Sequence, residues 1–198
     1  MPPWGVGTGF DERAAREFPR YLLADSATPT PGLQALVDDW SRYHAVKLVF
    51  AGLLALMAVQ LGHRLLALAP TVLVLANVQG TVAPLSSALS LLDPHDRFLA
   101  PDLARGLYRM RMDLTGSRSA PVDELTRDFA WYHAVLAGMA IALAVVLVVA
   151  AVRAWRRGRR WWCAATVVAV VACGVLTAAN VSTALDPVRG LLDFLGGS

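Results

Sequence analysis

Two long stretches without a charged residue limit what this chain can fold into. Residues 135–152 and 161–185 contain no Asp, Glu, Lys or Arg. A helix needs about 20 mainly apolar residues to cross about 30 Å of hydrocarbon, so each stretch matches one membrane crossing. The whole chain agrees with this, because 56% of its 198 residues are hydrophobic and only 17% are charged. This composition excludes an ordinary soluble domain.

Two further apolar segments raise the number of predicted membrane spans to four. We place the spans at residues 45–61, 70–92, 135–152 and 164–185. Pro70 suits an early helical position, and Pro84 is expected to kink its helix. The predicted fold class is therefore all-α, a polytopic membrane protein of four transmembrane helices.

The arginines in the connections predict the orientation. The connection after the third span holds Arg153, Arg156, Arg157, Arg159 and Arg160 and no acid. Short basic connections remain in the cytoplasm, whereas the loop 93–128 mixes six Arg with seven acids. We therefore expect a multi-pass plasma-membrane protein with this loop and both termini outside. Lys47 is the sole lysine, and all the other Lys or Arg positions are arginine. Such a bias towards arginine is typical of GC-rich bacterial genomes.

An internal repeat relates the two halves of the chain. Segments 43–46 and 132–135 both read Tyr-His-Ala-Val, 89 positions apart. Beyond the arginine-rich connection the offset becomes 103, and matching positions there include Asn77 with Asn180 and Pro84 with Pro187. We infer a tandem duplication of a two-helix unit, with repeat units 1–95 and 96–198 in one integrated bundle. Two spans per unit give both copies the same orientation.

Each predicted unit also carries an amphipathic segment before its first span. Apolar residues recur at helical spacing in 10–23 and, more weakly, in 99–112. We expect these two segments to form helices that lie at the outer membrane interface.

The paired histidines are the strongest candidates for chemistry. His44 and His133 occupy matching positions, and two imidazoles can ligate haem iron or a copper ion. Lys47, one turn after His44, is a third catalytic candidate, and Leu136 stands at its matching position. The sequence equally allows each histidine to hydrogen-bond locally within its own repeat. Asp39, five residues before His44, could hold that imidazole.

Other polar residues near the spans form a candidate ligand-binding set. An asparagine inside an apolar span needs a partner, which is either another helix or a ligand. Four repeated arginines could pair with Asp39 and Asp128, or contact lipid phosphate or another anion. The ligand-binding candidates are Asn77, Asn180, Asp39, Asp128, Tyr43 and Tyr132, and the lipid or anion candidates are Arg16, Arg20, Arg105 and Arg109.

Several functional classes receive no support from the sequence. It lacks the Walker, Gly-x-Ser-x-Gly, CxxC and HExxH motifs, and no acid lies at mid-span to relay protons for transport. Cys163 and Cys173 are about 15 Å apart along one helix and cannot bridge each other. The net charge of +3 is not gathered into a stripe with aromatic residues, which argues against nucleic acid. No motif requires a cofactor.

The middle of the chain resembles the anthrone-oxygenase-like four-helix membrane proteins. The resemblance runs from Asn77 through Asp93-Pro94 to Trp131-Tyr132-His133. That family pairs an Asn-containing helix end with a Trp and an Asn-His-x-Arg entry to the next helix. Here Tyr132 and Val135 replace the Asn and the Arg. The resemblance implies a small bundle whose cavity admits a hydrophobic, aromatic substrate and needs no cofactor.

The sequence leaves three functions open. The leading interpretation is an outward-facing site that binds a hydrophobic or amphipathic small molecule, with or without transforming it. The first alternative is a non-catalytic accessory or assembly subunit of a larger membrane complex. The second is a bis-histidine haem or copper protein. Membrane lipid, a larger complex and a second copy of the chain are the expected partners.

Overall fold

The computed structural model describes residues 8–63 and 66–196, and all regular structure in these residues is helical. Residues 1–7, 64–65 and 197–198 of the predicted repeat units lie outside the described residues. The described helices are α1 Thr8–Leu22, α2 Pro31–Gln60, α3 Leu68–Val82, α4 Pro84–Leu89, α5 Pro101–Thr115, α6 Ala120–Arg156, α7 Arg160–Leu185 and α8 Pro187–Phe194. The all-α prediction is confirmed.

Three of these helices are long and apolar enough to cross a membrane. They are α2, α6 and α7, with 30, 37 and 26 residues. They contain the first, third and fourth predicted spans almost entirely. The membrane assignment and the multi-pass character follow from these three helices. Both α2 and α6 begin well before their apolar parts. Their first turns therefore lie outside the apolar spans and can pack against other helices of the protein.

The second predicted span is wrong as a single kinked helix. Segment 70–92 is divided at Ala83, whose φ of −134° and ψ of 63° are not helical. Pro84 has no N–H to donate and disfavours the helical conformation in the residue before it, so the helix stops instead of bending. The 15 residues of α3 rise about 22 Å, which is less than the hydrocarbon thickness of about 30 Å.

One compact unit comprises residues 1–129 and 187–198. Outside its apolar α2–α3 hairpin, this unit is a small helical domain, which we call the cap. The cap consists of α1, residues 31–40 of α2, α4, α5, residues 120–129 of α6, and α8. Its core includes the fully or almost fully buried side chains of Phe18, Tyr21, Leu33, Leu36, Leu89, Met110, Leu125 and Leu191.

The cap shows what covers the apolar faces of the two amphipathic segments. Both segments form helices, α1 and α5, as expected. Their apolar faces pack against protein: Phe18 of α1 and Met110 of α5 have no exposed surface. Their position at the outer membrane interface stays a prediction. The two helices contact each other closely where a Cβ at Gly106 would lie 2.9 Å from the Cα of Pro19. Periodicity predicted the apolar faces but could not show what covers them.

Buried polar groups tie the cap together. The Tyr21 hydroxyl lies 3.0 Å from the carbonyl oxygen of Ala27 and 3.2 Å from that of Pro121. Burial, with the nearby Glu124 and Asp128 carboxylates, raises the pKa of Tyr21 to about 12. Asp128 accepts a 2.7 Å hydrogen bond from the backbone N–H of Ser86 at the start of α4. This satisfies a donor that α4 itself cannot satisfy.

The other compact unit comprises residues 130–186, which are the remainder of α6 and all of α7. A tight connection joins the two helices at Gly158, whose φ of +68° lies in the left-handed region. A side chain there would be strained, so glycine suits the turn.

Candidate functional site

His44 and Asn77 form a polar contact between the two apolar helices of the first unit. The Nδ1 atom of His44, on α2, lies 2.8 Å from Oδ1 of Asn77, on α3. The Asn77 amide nitrogen donates a 2.6 Å hydrogen bond to the carbonyl oxygen of Leu73, one turn earlier in α3. Asn77 is buried. Both ends of its amide are therefore satisfied in an apolar environment, where an unpaired amide is costly.

The hydrogen bonds of Asn77 also determine which ring nitrogen of His44 carries a proton. Because the amide nitrogen donates to Leu73, the oxygen faces the imidazole and can only accept. Nδ1 of His44 must then donate, which leaves Nε2 as the unprotonated nitrogen of the neutral ring. This Nε2 is buried and has no hydrogen-bond partner among the described residues. In this tautomer, Nε2 is a buried acceptor without a donor among the described residues.

Gly80 allows α3 to approach the histidine ring. A Cβ at this position would overlap Cγ and Cδ2 of His44. Gly80 was not among the predicted site residues, although its position three residues after Asn77 places it on the same side of the helix. A small residue next to a polar one on an apolar helix was the available signal.

Aromatic side chains surround His44 on the side facing the cap. The Trp40 and His44 rings meet edge to face at 4.6 Å, and Phe10 of α1 contacts Trp40 at 5.1 Å. Tyr43 lies 5.5 Å from His44. The Trp40 indole donates a 3.0 Å hydrogen bond to the hydroxyl of Ser87 in α4. The cap therefore holds the imidazole in position through its aromatic neighbours, and Phe10 and Trp40 were not among the predicted site residues.

The second unit repeats the central contact. The Nδ1 atom of His133, on α6, lies 2.8 Å from Oδ1 of Asn180, on α7. The Asn180 amide nitrogen donates a 2.8 Å hydrogen bond to the carbonyl oxygen of Leu176. Tyr132 meets the His133 ring edge to face at 5.2 Å. The structure thus joins the predicted residues as two histidine–asparagine pairs, one within each compact unit.

A groove runs between α2 and α3 beside Asn77. Its volume is about 260 Å³, and its walls include Val46, Phe50, Leu54 and Leu73, with Lys47 and Asn77 as its polar members. The Lys47 ammonium lies 4.0 Å from the centre of the Tyr43 ring. The Lys47 side chain therefore turns back towards the cap, as a snorkelling side chain does.

The second unit has a groove of a different character. It lies between α6 and α7, has a volume of about 670 Å³ and is lined almost entirely by aliphatic residues such as Ile141, Val145 and Val148. It has no charged lining residue. The polar end of the first groove is therefore specific to the first unit.

The predicted pairing of the repeated arginines with Asp39 and Asp128 is wrong, and so is that of Asp39 with the His44 ring; the contact of these arginines with lipid phosphate or another anion stays a prediction. Asp39 pairs with Arg13 at 2.9 Å and with Arg42 at 3.6 Å, and it is Asn77 that holds the His44 ring. Asp128 accepts from the start of α4. The arginines have nearer carboxylates on their own helices: Arg16 and Arg20 bind Glu17, Arg105 lies 3.5 Å from Asp102, and Arg109 binds Asp113 at 2.9 Å.

Among residues 8–63 and 66–196, no group of three or more His, Cys, Asp or Glu side chains is placed to hold a metal ion. No family model, curated protein or solved structure matches this chain. Its function must therefore be argued from the geometry described above.

Proposed function

We propose that this chain is a plasma-membrane protein of four spans, built by tandem duplication of a two-span unit, with the cap and both termini outside. In this proposal α3 is the second span and completes a hairpin with α2, and local thinning of the bilayer accommodates its 15 residues. The two histidine–asparagine pairs support the duplication, as do the starts of α2 and α6 at residues 31 and 120, 89 positions apart.

Two matching chain breaks support the same origin. Ala83 has φ −134° and ψ 63°, and Asp186, 103 positions later, has φ −128° and ψ 69°. The backbone N–H of each residue donates to the carbonyl oxygen four positions earlier. Each residue is followed by a proline that begins a short helix of the cap, α4 or α8. Similar breaks at a constant offset are expected of two copies of one ancestral unit.

We further propose that the first unit binds an amphipathic small molecule in the groove between α2 and α3. The observation that carries this proposal is the groove itself, in which an apolar wall of Val46, Phe50, Leu54 and Leu73 ends at Lys47 and Asn77. Ligand sites are concave and mostly apolar, with few polar groups to orient the ligand. An aliphatic or aromatic body would lie along the wall.

Lys47 determines the chemistry of the ligand's polar end. Asn77 already uses its amide oxygen and one N–H within the protein, so the charged Lys47 is the stronger group to meet the ligand. An ammonium held 4.0 Å from an aromatic ring at a membrane boundary attracts an anion. We therefore expect an anionic head, such as a carboxylate. The matching Leu136 gives the second unit no such group.

A binding titration with a matched pair of substitutions tests the proposal. The full chain in phosphatidylcholine nanodiscs would be titrated with a fluorescent fatty acid, cis-parinaric acid. Lys47→Leu installs the residue of the second repeat and should weaken binding at least about tenfold, about 1.4 kcal/mol. Leu136→Lys, the reverse exchange, should leave the affinity unchanged. Equal affinities in wild type and Lys47→Leu would reject the site.

The methyl ester of the same fatty acid separates charge from apolar contact. It lacks the negative charge, so its affinity should not respond to Lys47→Leu. If neither compound binds and the chain instead co-purifies with another membrane protein, the accessory-subunit alternative would replace this proposal.

A further inference from the structure

The connection between α6 and α7 forms a second polar surface that the small-molecule site does not involve. Residues 153–162 read Arg-Ala-Trp-Arg-Arg-Gly-Arg-Arg-Trp-Trp, with five arginines and three tryptophans. We call this segment the Arg–Trp hairpin. All five arginines are exposed, and the exposed fractions of Trp155, Trp161 and Trp162 are 69%, 90% and 55%.

The positive charge of the Arg–Trp hairpin is not neutralised within the described protein. None of its five arginines takes part in a described ion pair. In the cap, by contrast, most charged side chains do. The sole acid of the second unit is Asp186, just beyond the far end of α7. The 26 residues of α7 place it about 39 Å away along the helix. No carboxylate of this unit can reach the hairpin.

The hairpin joins two helices that are long and apolar enough to span a membrane, so it lies at a membrane surface. Exposed tryptophans there are placed at head-group level, where their rings contact both acyl chains and polar groups. The planar guanidinium group of arginine binds phosphate oxygens through two parallel hydrogen bonds. Both residue types therefore suit the same partner.

We propose that the Arg–Trp hairpin binds the phosphodiester head groups of anionic phospholipids. The arginines contact phosphate oxygens while Trp161 and Trp162 insert beside the acyl chains. This site requires only that α6 and α7 span the bilayer, so it does not depend on the direction of insertion or on the groove between α2 and α3. Nucleic acid fits less well, because a strand would leave the tryptophans against lipid with no base to stack on.

The test compares two triple variants that remove the same charge. The hairpin triple carries Arg156→Gln, Arg157→Gln and Arg159→Gln. The control triple replaces exposed arginines of the other unit and carries Arg42→Gln, Arg97→Gln and Arg127→Gln. Each full chain would be purified in detergent with equal amounts of phosphatidylglycerol and phosphatidylcholine, and the retained lipids counted by mass spectrometry. Retention does not depend on the direction of insertion, because detergent has no sides.

We expect the wild type and the control triple to retain phosphatidylglycerol preferentially. In the hairpin triple this preference should fall at least about tenfold, since each basic residue near an anionic surface contributes about 1 kcal/mol. A third variant with Lys at the three hairpin positions keeps the charge but not the paired hydrogen bonds, and should retain an intermediate preference. Equal preference in the hairpin and control triples would overturn the proposal. Displacement of the lipid by inorganic phosphate or by an oligonucleotide would also overturn it, in favour of a soluble anion or nucleic acid.

Discussion

Asn77 accepts a hydrogen bond from His44 at 2.8 Å. The bond joins α2 to α3 within one compact unit, and its counterpart between His133 and Asn180 joins α6 to α7 within the other. Each histidine is thus provided with a partner by its own repeat. This arrangement favours a local structural role over a shared metal site, and it leads to a measurable difference between the two.

We predict that His44→Ala and His133→Ala destabilise the protein independently. Each removes one hydrogen bond, so each should cost about 1 kcal/mol, and the double variant should cost the sum. Thermal unfolding in detergent of the two single variants and the double variant provides the measurement. Residues that ligate one haem or copper ion act as a unit, and in that case either single change would have nearly the effect of both. A haem absorption band in the wild type would likewise support a shared haem site and contradict independent roles for the two histidines.

Gly80 provides a test of the packing around His44. We predict that Gly80→Ala destabilises the protein by about 1–3 kcal/mol, because the new Cβ would overlap the imidazole ring. Gly138→Ala is the matched control: nothing lies within 4 Å of a Cβ at Gly138, so it should be neutral or slightly stabilising. If the overlap is the cause, the double variant Gly80→Ala/His44→Ala should be no less stable than His44→Ala alone. A fully additive loss would contradict this cause.

Tyr21 predicts a stability change at high pH. Its pKa is raised from the ordinary value of 10.0 to about 12 by burial first and by the nearby carboxylates second. A group with a raised pKa stabilises the fold below its unfolded pKa, and this contribution is lost as the pH rises through its folded pKa. We therefore expect the wild type to retain this stabilisation up to pH 10 and to lose it between about pH 10 and 12.

Absorbance titration of tyrosinate formation measures this effect. Tyr21→Phe should remove the step near pH 12, whereas Tyr108→Phe, at an exposed position, should leave that step in place. Tyr21→Phe should also lower stability at neutral pH by about 1–3 kcal/mol, because the hydroxyl shared by the carbonyl oxygens of Ala27 and Pro121 is removed and the buried Pro121 carbonyl loses this donor. A wild type without a titration step above pH 11 would contradict the assignment.

The proposed orientation can be tested by thiol labelling in intact cells. Cys163 and Cys173 would first be replaced by Ser, and single cysteines placed at Ser26, Ser117 or Arg157, which are all exposed. We expect an impermeant reagent to label the first two positions and not the third, because the arginine-rich connection is retained inside. Labelling at Arg157 alone would invert the orientation.

The sequence predicted the apolar helices well because hydropathy is a local property. Segments 135–152 and 164–185 lie within α6 and α7, and the end of the fourth span at Leu185 agrees with the end of α7. The break at Ala83 was predicted as a kink, since a proline alone does not reveal whether the helix resumes in the same direction. A local hydrogen bond of each histidine was one of the alternatives left open, but the partner suggested for His44 was the nearby Asp39, because Asn77 is 33 positions from His44 and local spacing does not reveal it.

The cap was the largest feature that the sequence did not reveal. Two amphipathic segments next to membrane spans have the same periodicity whether they face lipid or each other. Contacts such as Gly106 against Pro19, or Tyr21 against Pro121, join residues far apart in the chain, and periodicity carries no information about them. The short helix α4 was likewise predicted as the end of the second span.

The position of Leu191 has a consequence for biogenesis. This residue, in α8, is fully buried in the same core as Phe18 of α1. The ribosome must therefore release the first helix and all the apolar segments before the last contributor to that core emerges. Until then, the part of the core that Leu191 fills remains uncovered, and a nascent chain halted before α8 would expose that part to proteases and holding chaperones.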